Sequence, residues 1–398
     1  MIVRGRRSVR LFLVRIRGGF RHRRAHGALP GRRVVFLTWR DTAHPEGGGS
    51  EVFVERIASH LAASGHEVTI LCAAHGGAPA DEVRDGVRFH RRGSRLGVYL
   101  RGMAYLLFGA GRHADVVVDV QNGIPFFAPL VRRRPIMVLL HHVHREQWQI
   151  IYPGRRGQLG WWIESRLSPW LYRKHPYVTV SEASRRDLIA LGVDEHRIAL
   201  VHNGIDVPHP DHSLPRSTDP TICVLGRLVP HKQVEHALQV AATLRTQLPG
   251  LRVEIVGDGW WREQLEVHAA QLGVSDLVTF HGHVSDEVRG RILDRSWVLL
   301  VPSVKEGWGI AIMEAAARGV PAIAYESAGG VCESICDTVT GRLVPDAADL
   351  TKRTAELLTD AELRNRYAEA ARQRAASFDW ASSADVFARA LQAATRGD

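Results

Sequence analysis

The stretch "RRVVFLTWRDTAHPEGGGSEVFVERIASHLAASGHEVTILCA", residues 32–73, decides the fold class. It begins with an apolar run rich in β-branched residues, continues with apolar residues at helical spacing up to Gly65, and ends in a second apolar run. This pattern predicts a strand, a helix and a strand. Such a βαβ unit implies a parallel sheet with right-handed crossovers.

The same alternation continues along the chain. Further strands are predicted at 114–120, 135–141 and 177–181, which completes a first domain over residues 31–205. Four prolines between residues 208 and 220 indicate a linker. A second series of strands and helices then starts at "TICVLG", giving a second domain over residues 206–379. We therefore expect an α/β protein with two Rossmann-like domains facing each other across a cleft.

The net charge is unevenly distributed. The chain carries +10, and residues 1–30 contain nine arginines and no acidic residue, so all later residues carry about +1. The high net charge therefore says little about the ligand of the folded part, and the alternative of a nucleic-acid binder, which we do not expect, is supported only by the leader. The apolar run at 11–14 is too short for a signal peptide or a membrane span. Three interpretations of the leader stay open: a disordered basic tail, which we expect, a weak tether to anionic lipid, or translation from upstream of the natural start.

Cysteine and histidine patterns do not predict a metal site. The four cysteines are scattered, and no second pair accompanies Cys332 and Cys336, so we expect core thiols in a reducing cytoplasm. His141, His142 and His144 follow a predicted strand in "MVLLHHVHREQW", but no further Cys, Asp or Glu ligand set accompanies them. A histidine that faces the cleft between the domains is the preferred interpretation.

Several polar or glycine-rich segments follow predicted strands, where ligands bind in such sheets. Gly47, Gly48 and Gly49 precede the first helix and would let backbone N–H groups approach an anion, although a flexible surface loop is the alternative. Arg227 and Lys232 follow the strand "TICVLG" at the mouth of the next helix. Two cations beside a helix N-terminus suit a pyrophosphate, and ordinary exposed basic residues are the alternative.

The stretch "VPSVKEGWGIAIMEAAARGVPAIA", residues 301–324, carries two glutamates that packing alone does not require. Glu306 lies in a loop with Gly307 and Gly309, and Glu314 lies on the following helix among apolar residues. A carboxylate near a packed face needs hydrogen-bond partners. Vicinal hydroxyls of a sugar or a ribose are such partners.

Four segments in this order, "GRLVPHK", "VEIVGDG", "VTFHGHVSDEV" and the stretch just quoted, resemble the second domain of retaining glycosyltransferases of family four, which have the GT-B fold. "GGGSEVFVERIASHLAASGHEVTIL", "VTVSEASRRDL" and "VHNGIDV" resemble the first domain and its exit. Glu306 and Glu314 match the family's E-x7-E motif. The resemblance also implies that the C-terminal helix, residues 380–398, returns to the first domain.

The resemblance implies two sets of site residues. The set that acts on the reacting sugar and the leaving diphosphate is Glu306, Arg227, Lys232 and His141, with His142 as the second choice for the histidine. The set that contacts the rest of the donor or lines its phosphate side is Gly47, Gly48, Gly49, His283, Val284, Gly307, Trp308, Gly309, Ile310 and Glu314.

The implied reaction transfers a hexose from GDP-mannose or a UDP-sugar to a hydroxyl of a glycan, lipid-linked or small-molecule acceptor, as in cell envelope polysaccharide synthesis. It proceeds with retention, without metal or cofactor, and with cations stabilising the leaving group. A sugar-nucleotide epimerase or phosphorylase of the same fold is the alternative. We expect a cytoplasmic protein, with peripheral contact to the inner face of a membrane left open.

The segment "QWQIIYPGRRGQLGWWIESRLSPWLYR" combines aromatic and basic residues in a way that allows two interpretations. One is an interfacial surface or a lipid-linked acceptor site, and the other is that the tryptophans pack in the core of the first domain. The residues concerned are Trp148, Trp161, Trp162, Trp170, Arg155, Arg156 and Arg166.

Overall fold

A computed structural model describes residues 31–133, 135–206 and 215–396. The predicted disordered leader, residues 1–30, lies outside the described residues, and so does the part of the predicted linker at 207–214. Within the described ranges, no helix is both long and apolar enough to cross a lipid bilayer.

The first sheet has eight strands in the order β3-β4-β2-β1-β5-β6-β7-β8, and among these neighbours only β3 and β4 run antiparallel. Strands β1, β5 and β6 are apolar almost throughout because helices cover both faces of the sheet. The strands are Arg33–Leu37 (β1), Glu67–Cys72 (β2), Asp81–Arg84 (β3), Val87–Arg91 (β4), Val116–Gln121 (β5), Ile136–Leu140 (β6), Tyr177–Thr179 (β7) and Ile198–Leu200 (β8).

Helices on the first sheet form two layers. Helix α1 packs on one face, and α2 packs on the other together with the α4–α5 segment, in which a π-helical turn at Ile163–Leu167 joins the two helices. The helices are Gly49–Ala63 (α1), Gly97–Phe108 (α2), Arg145–Ile151 (α3), Arg155–Trp162 (α4), Ser168–Leu171 (α5) and Glu182–Ala190 (α6).

The second sheet has six parallel strands in the order β11-β10-β9-β12-β13-β14. Its strands are Thr221–Leu225 (β9), Arg252–Val256 (β10), Val278–Gly282 (β11), Val298–Val301 (β12), Ala322–Tyr325 (β13) and Gly341–Val344 (β14). Its helices are Glu235–Leu244 (α7), Arg262–Gln271 (α8), Asp286–Arg295 (α9), Ile310–Ala317 (α10), Val331–Ser334 (α11), Ala347–Thr359 (α12) and Ala361–Ala375 (α13).

The last helix, Trp380–Arg396 (α14), returns to the first sheet. Its Phe387 is fully buried and lies 6.0 Å from Phe36 of β1 and 6.3 Å from Phe53 of α1, measured between ring centroids. Both the α/β class and the predicted β1, α1, β2 unit are confirmed.

Two sequence predictions need correction. The predicted strands omitted β3, β4, β8 and β14, which are only three to five residues long and, in β3 and β4, alternate with charged residues. The four cysteines are not all core thiols: Cys72 and Cys223 are buried, but Cys332 is exposed and Cys336 is partly exposed. Cys332 lies on the outer side of the short helix α11, whose Val331 and Ser334 are buried, and Cys336 lies in the loop after that helix.

Candidate active site

The N-termini of two helices from different sheets converge in the cleft. Helix α1 begins at Gly49 and α10 begins at Ile310, and a Cβ built on Gly49 would lie 2.6 Å from Cγ2 of Ile310. The N–H groups of a first helical turn have no acceptor within their own helix, and the helix dipole adds positive potential there. The meeting point of α1 and α10 is therefore suited to an anion.

The predicted glycine loop is tightly constrained and is not a flexible surface loop. The N–H of Gly47 donates to the His44 carbonyl at 2.7 Å, and a Cβ at Gly47 would meet three carbonyl oxygens at about 3 Å. The N–H of Gly48 donates to Glu51 at 2.8 Å, and Arg40 pairs with the same carboxylate at 2.9 Å. A side chain would not fit at Gly47 or Gly49 without moving its neighbours, whereas a Cβ at Gly48 would make only ordinary contacts.

The two predicted cations lie at the facing edge of the second sheet. A Cβ on Gly48 would lie 3.6 Å from Nε of Arg227, so this guanidinium reaches across to the first domain. Burial lowers the pKa of Arg227 to about 10, which leaves it protonated at neutral pH. Arg227 and Lys232 line one small cavity together with Ser303.

The E-x7-E glutamates have separate partners. Glu306 accepts a charged hydrogen bond from Lys232 at 2.5 Å and another from the Ser303 hydroxyl at 2.7 Å. Glu314 pairs with Arg289 of α9 at 3.2 Å, and burial raises its pKa above the ordinary value. The two carboxylates are therefore held in place by cations of the second domain.

His141, at the end of β6, is buried and not open to the cleft as the sequence suggested, because α1 covers it. Its ring stands edge-on to Phe53 at 5.3 Å, and neither ring nitrogen has a hydrogen-bond partner among the described residues. Burial lowers its pKa to about 4. Its carbonyl faces Gly307 of the second domain, where a Cβ would approach it to 2.8 Å.

His142 and His144 are held by neutral and acidic neighbours. The His142 ring bonds Gln147 at 3.0 Å, and burial keeps its pKa well below the ordinary value. His144 bonds the buried Glu164 at 2.9 Å. No group of three or more His, Cys, Asp or Glu side chains in the described ranges is arranged to hold a metal ion.

The remaining predicted donor residues occupy three environments. His283 is exposed and Val284 partly buried, just before α9, whose Arg289 reaches Glu314. The Trp308 side chain is buried against Phe378 at 5.1 Å between ring centroids. It therefore packs the interior and leaves only its backbone to the cleft. Gly309 has a φ of +88°, which favours glycine at the start of α10.

Sequence reasoning missed several polar groups that are buried near the strand ends. Gln121 and the following Asn122 lie at the carboxyl end of β5, beside Leu140 and His141 of β6, and each has a buried side-chain nitrogen without a partner in the described structure. The strand-end rule could have identified them. His231, beside Lys232, is also buried. Glu51 gave no sequence signal, because its role depends on Arg40 folding back onto it.

Two protein-family models match the chain. "Glycosyltransferase Family 4" matches residues 47–209, and "Glycosyl transferases group 1" matches residues 209–374. Together the matches cover both sheets' cleft-facing segments. The chain belongs to the glycosyltransferase family that these two models describe, with one model matching each domain. The predicted resemblance to this family is confirmed.

Curated relatives match nearly the whole chain. Glycogen synthase of Mycobacterium tuberculosis is 26% identical, over 92% of this chain and 96% of that protein. D-inositol 3-phosphate glycosyltransferase of Nocardia farcinica is 27% identical, over 88% of this chain and 85% of that protein. These two relatives are about equally similar to the chain but carry different names. The comparison therefore identifies the family and does not identify the substrate.

Solved structures show the same fold. Sucrose-phosphate synthase from Thermosynechococcus elongatus superposes with a TM-score of 0.76 at 18% identity, over 91% of this chain and 98% of that chain. Alr3699/HepE of Anabaena in complex with UDP-glucose superposes with a TM-score of 0.71 at 19% identity, over 91% of this chain and all of that chain. The GT-B fold is thereby confirmed.

Proposed function

We propose that this glycosyltransferase moves a hexose from GDP-mannose or a UDP-sugar to a hydroxyl group, with retention and without a metal ion. The acceptor is a glycan, a lipid-linked sugar or a small molecule. The observation that carries the proposal is the convergence of the α1 and α10 N-termini beside Arg227 and Lys232. Two helix dipoles and two cations at one point suit a nucleoside diphosphate.

The proposal assigns a role to each residue of the site. Arg227 and Lys232 bind the pyrophosphate and stabilise the charge that develops when the sugar leaves. Glu306, fixed by Lys232 and Ser303, contacts the transferred sugar. Glu314, on α10, accepts hydrogen bonds from the ribose hydroxyls. The buried, neutral His141 holds the end of β6 against the second domain, where its carbonyl faces Gly307, and its covered ring does not contact the sugar.

The acceptor lies on the first-domain side of the cleft. The proposed donor contacts Arg227, Lys232, Glu306 and Glu314 all belong to the second domain, which leaves the first-domain side for the acceptor. The acceptor hydroxyl loses its proton to the departing phosphate on the same face of the sugar, so no protein nucleophile is required.

Thermal unfolding of the full chain with GDP, UDP, ADP and their sugar conjugates, in EDTA, tests the donor site. A ligand that binds only the folded state raises the unfolding midpoint by mass action. We expect one base to raise the midpoint and Lys232→Ala to abolish the rise. A rise that requires added Mg²⁺ would contradict the metal-free site, and no rise with any nucleotide would overturn the donor assignment.

Product analysis tests the reaction itself. With the donor so identified, transfer to an added hydroxyl acceptor and an unchanged anomeric configuration by NMR are expected. Conversion of the sugar nucleotide without acceptor would instead indicate an epimerase, and dependence on inorganic phosphate would indicate a phosphorylase.

A further inference from the structure

Positive charge is concentrated in one half of the first domain. Residues 86–174 contain 14 Arg and one Lys against four Asp and Glu, a net charge of +11. The whole chain carries +10 and residues 1–30 carry +9, so all the other residues together carry −10. The near-neutral average of residues 31–398 therefore hides a strongly basic segment beside an acidic remainder.

The acidic residues of this segment offset its charge only in part. Asp119 is buried and accepts from Tyr172, and Glu164 is buried and accepts from His144 and Trp148. Arg91 and Arg132 are buried, and Arg88, Arg91 and Arg92 pair with acidic residues that precede the segment, but other basic side chains lie at the surface. Those exposed on or beside α2, α4 and α5 are Arg95, Arg101, Arg155, Arg156, Arg166, Arg173 and Lys174.

Large apolar side chains are exposed on the same two helical segments. Leu100 is 72% exposed and Phe108 is 79% exposed on α2, while Trp162 is 52% and Trp170 is 60% exposed on α4–α5. We call the α2–α4 face the surface formed by Leu96, Leu100, Leu107, Phe108, Leu159, Trp162 and Trp170.

Packing places both halves of this face on one side of the molecule. Val98 and Leu106 of α2 enter the same hydrophobic core as Trp161 and Leu171 of the α4–α5 segment, on one face of the first sheet. The opposite sides of these helices therefore point away from the sheet and are exposed on the same side of the molecule. A hydrogen bond of 3.0 Å from Arg95 to the Tyr152 hydroxyl joins the two parts.

We propose that the α2–α4 face docks on the surface of an anionic lipid bilayer. Tryptophan and leucine enter the interface between headgroups and acyl chains, and the surrounding arginines bind lipid phosphates. Arg173 already stacks on Trp170 at 5.1 Å, a pairing suited to a boundary between apolar and charged surroundings.

A bilayer fits this face better than nucleic acid does. Binding to a phosphodiester backbone requires cations but does not require protruding leucine, phenylalanine and tryptophan side chains. In the second domain, Trp260 and Val267 are also exposed, but the neighbouring Arg262 is paired with Glu266 at 2.8 Å and Asp258 at 3.6 Å. These observations are independent of the sugar donor, so the docking proposal does not depend on the proposed reaction.

Co-sedimentation of the full chain with vesicles tests the proposal. We expect binding to equal parts of phosphatidylglycerol and phosphatidylcholine, weak binding to phosphatidylcholine alone, and a loss of binding at high salt. Leu100→Glu combined with Trp162→Glu should lower the partition coefficient by roughly tenfold, because both changes bury a carboxylate in the interface. Trp260→Glu combined with Val267→Glu, whose parent side chains are 55% and 57% exposed in the second domain, is the matched control with the same change in net charge, and it should bind as the wild type.

All these proteins keep residues 1–30, so the charge of the leader is constant in the comparison. Equal binding by the double variant and the wild type would mean that the leader or general charge carries the attraction, and would overturn the proposal. Binding to duplex DNA in place of vesicles would overturn it as well.

Insertion can be measured separately from adsorption. Brominated phosphatidylcholine in the same anionic vesicles should quench the fluorescence of Trp162 and Trp170. The conservative change of both residues to Phe should remove most of that quenching while leaving co-sedimentation nearly intact. Unchanged quenching in this variant would show that other tryptophans meet the lipid and that this face does not.

Discussion

At the scale of single residues, the cleft is defined by charges that hold one another in place. Lys232 and Glu306 lie 2.5 Å apart, and Ser303 fixes the same carboxylate oxygen. Arg227 is close to Gly48 of the opposite domain. Removal of one partner therefore leaves a partly buried charge without compensation and also removes a contact to the donor.

Three alanine variants test these residues one at a time. Arg227→Ala, Lys232→Ala and Glu306→Ala should each lower kcat/KM for transfer by about tenfold or more, equivalent to about 1.4 kcal/mol of transition-state stabilisation. Initial rates with a fixed donor and acceptor measure this. The exposed Lys352 lies on α12, outside the cleft, and Lys352→Ala should keep full activity. Full activity in any folded cleft variant would remove that residue from the site.

At the scale of elements, helix ends hold the two domains together. The N–H groups of Glu182 and Ala183, at the start of α6, donate to the carboxylate of Glu333 in α11 at 2.9 and 3.0 Å. Burial alone would raise the pKa of Glu333, but these bonds and His202 hold it below the ordinary value. Lys305 of the second domain forms a second link to α6, through an ion pair with Asp187 at 2.7 Å.

The contribution of this helix-end contact can be measured by removing the carboxylate. Glu333→Ala should lower the free energy of unfolding by about 1 kcal/mol, because α6 loses an anionic acceptor at its N-terminus. Chemical denaturation monitored by circular dichroism measures the change. Glu326→Ala, at an exposed position in the preceding turn, is the control and should leave stability unchanged. Equal stability of the two variants would contradict the assigned role.

At the scale of the whole molecule, buried histidines on both sides of the cleft couple stability to pH. Burial lowers the pKa of His141 to about 4 and that of His231 to about 3. An unfolded histidine titrates near pH 6.5, so the unfolded state binds more protons below that pH. The contribution of these histidines to the free energy of unfolding is therefore fully present above about pH 6.5. It is lost as the pH falls towards their folded pKa values.

Replacement of His231 should reduce this pH dependence. Between pH 7 and pH 5 we expect the wild type to lose about 2 kcal/mol through this residue, and His231→Gln should lose correspondingly less. Thermal or denaturant unfolding across that range measures the difference. His196→Gln, which changes an exposed histidine, is the control. If the free energy of unfolding fell equally steeply with pH in His231→Gln and in the wild type, His231 would not remain neutral in the folded protein.

The distribution of charge is also a property of the whole molecule that sequence averages conceal. The sequence analysis found about +1 for everything after residue 30, yet residues 86–174 alone carry +11. Of the four tryptophans left open between core and interface, Trp148 and Trp161 are partly buried, whereas Trp162 and Trp170 are largely exposed. Trp148 and Trp161 therefore do not contribute to an exposed surface, and the interfacial interpretation stays a prediction for Trp162 and Trp170.

The sequence by itself determined the α/β class, the main strands and the polar residues at their ends, such as Arg227, Lys232 and Glu306. It could do so because hydrophobic periodicity and the order of strand, loop and helix are local. Only the tertiary structure decided that α1 and α10 meet at Gly49 and Ile310, or that His141 is covered by Phe53. These contacts join residues far apart in the chain, and periodicity identifies a helix face without identifying what covers it.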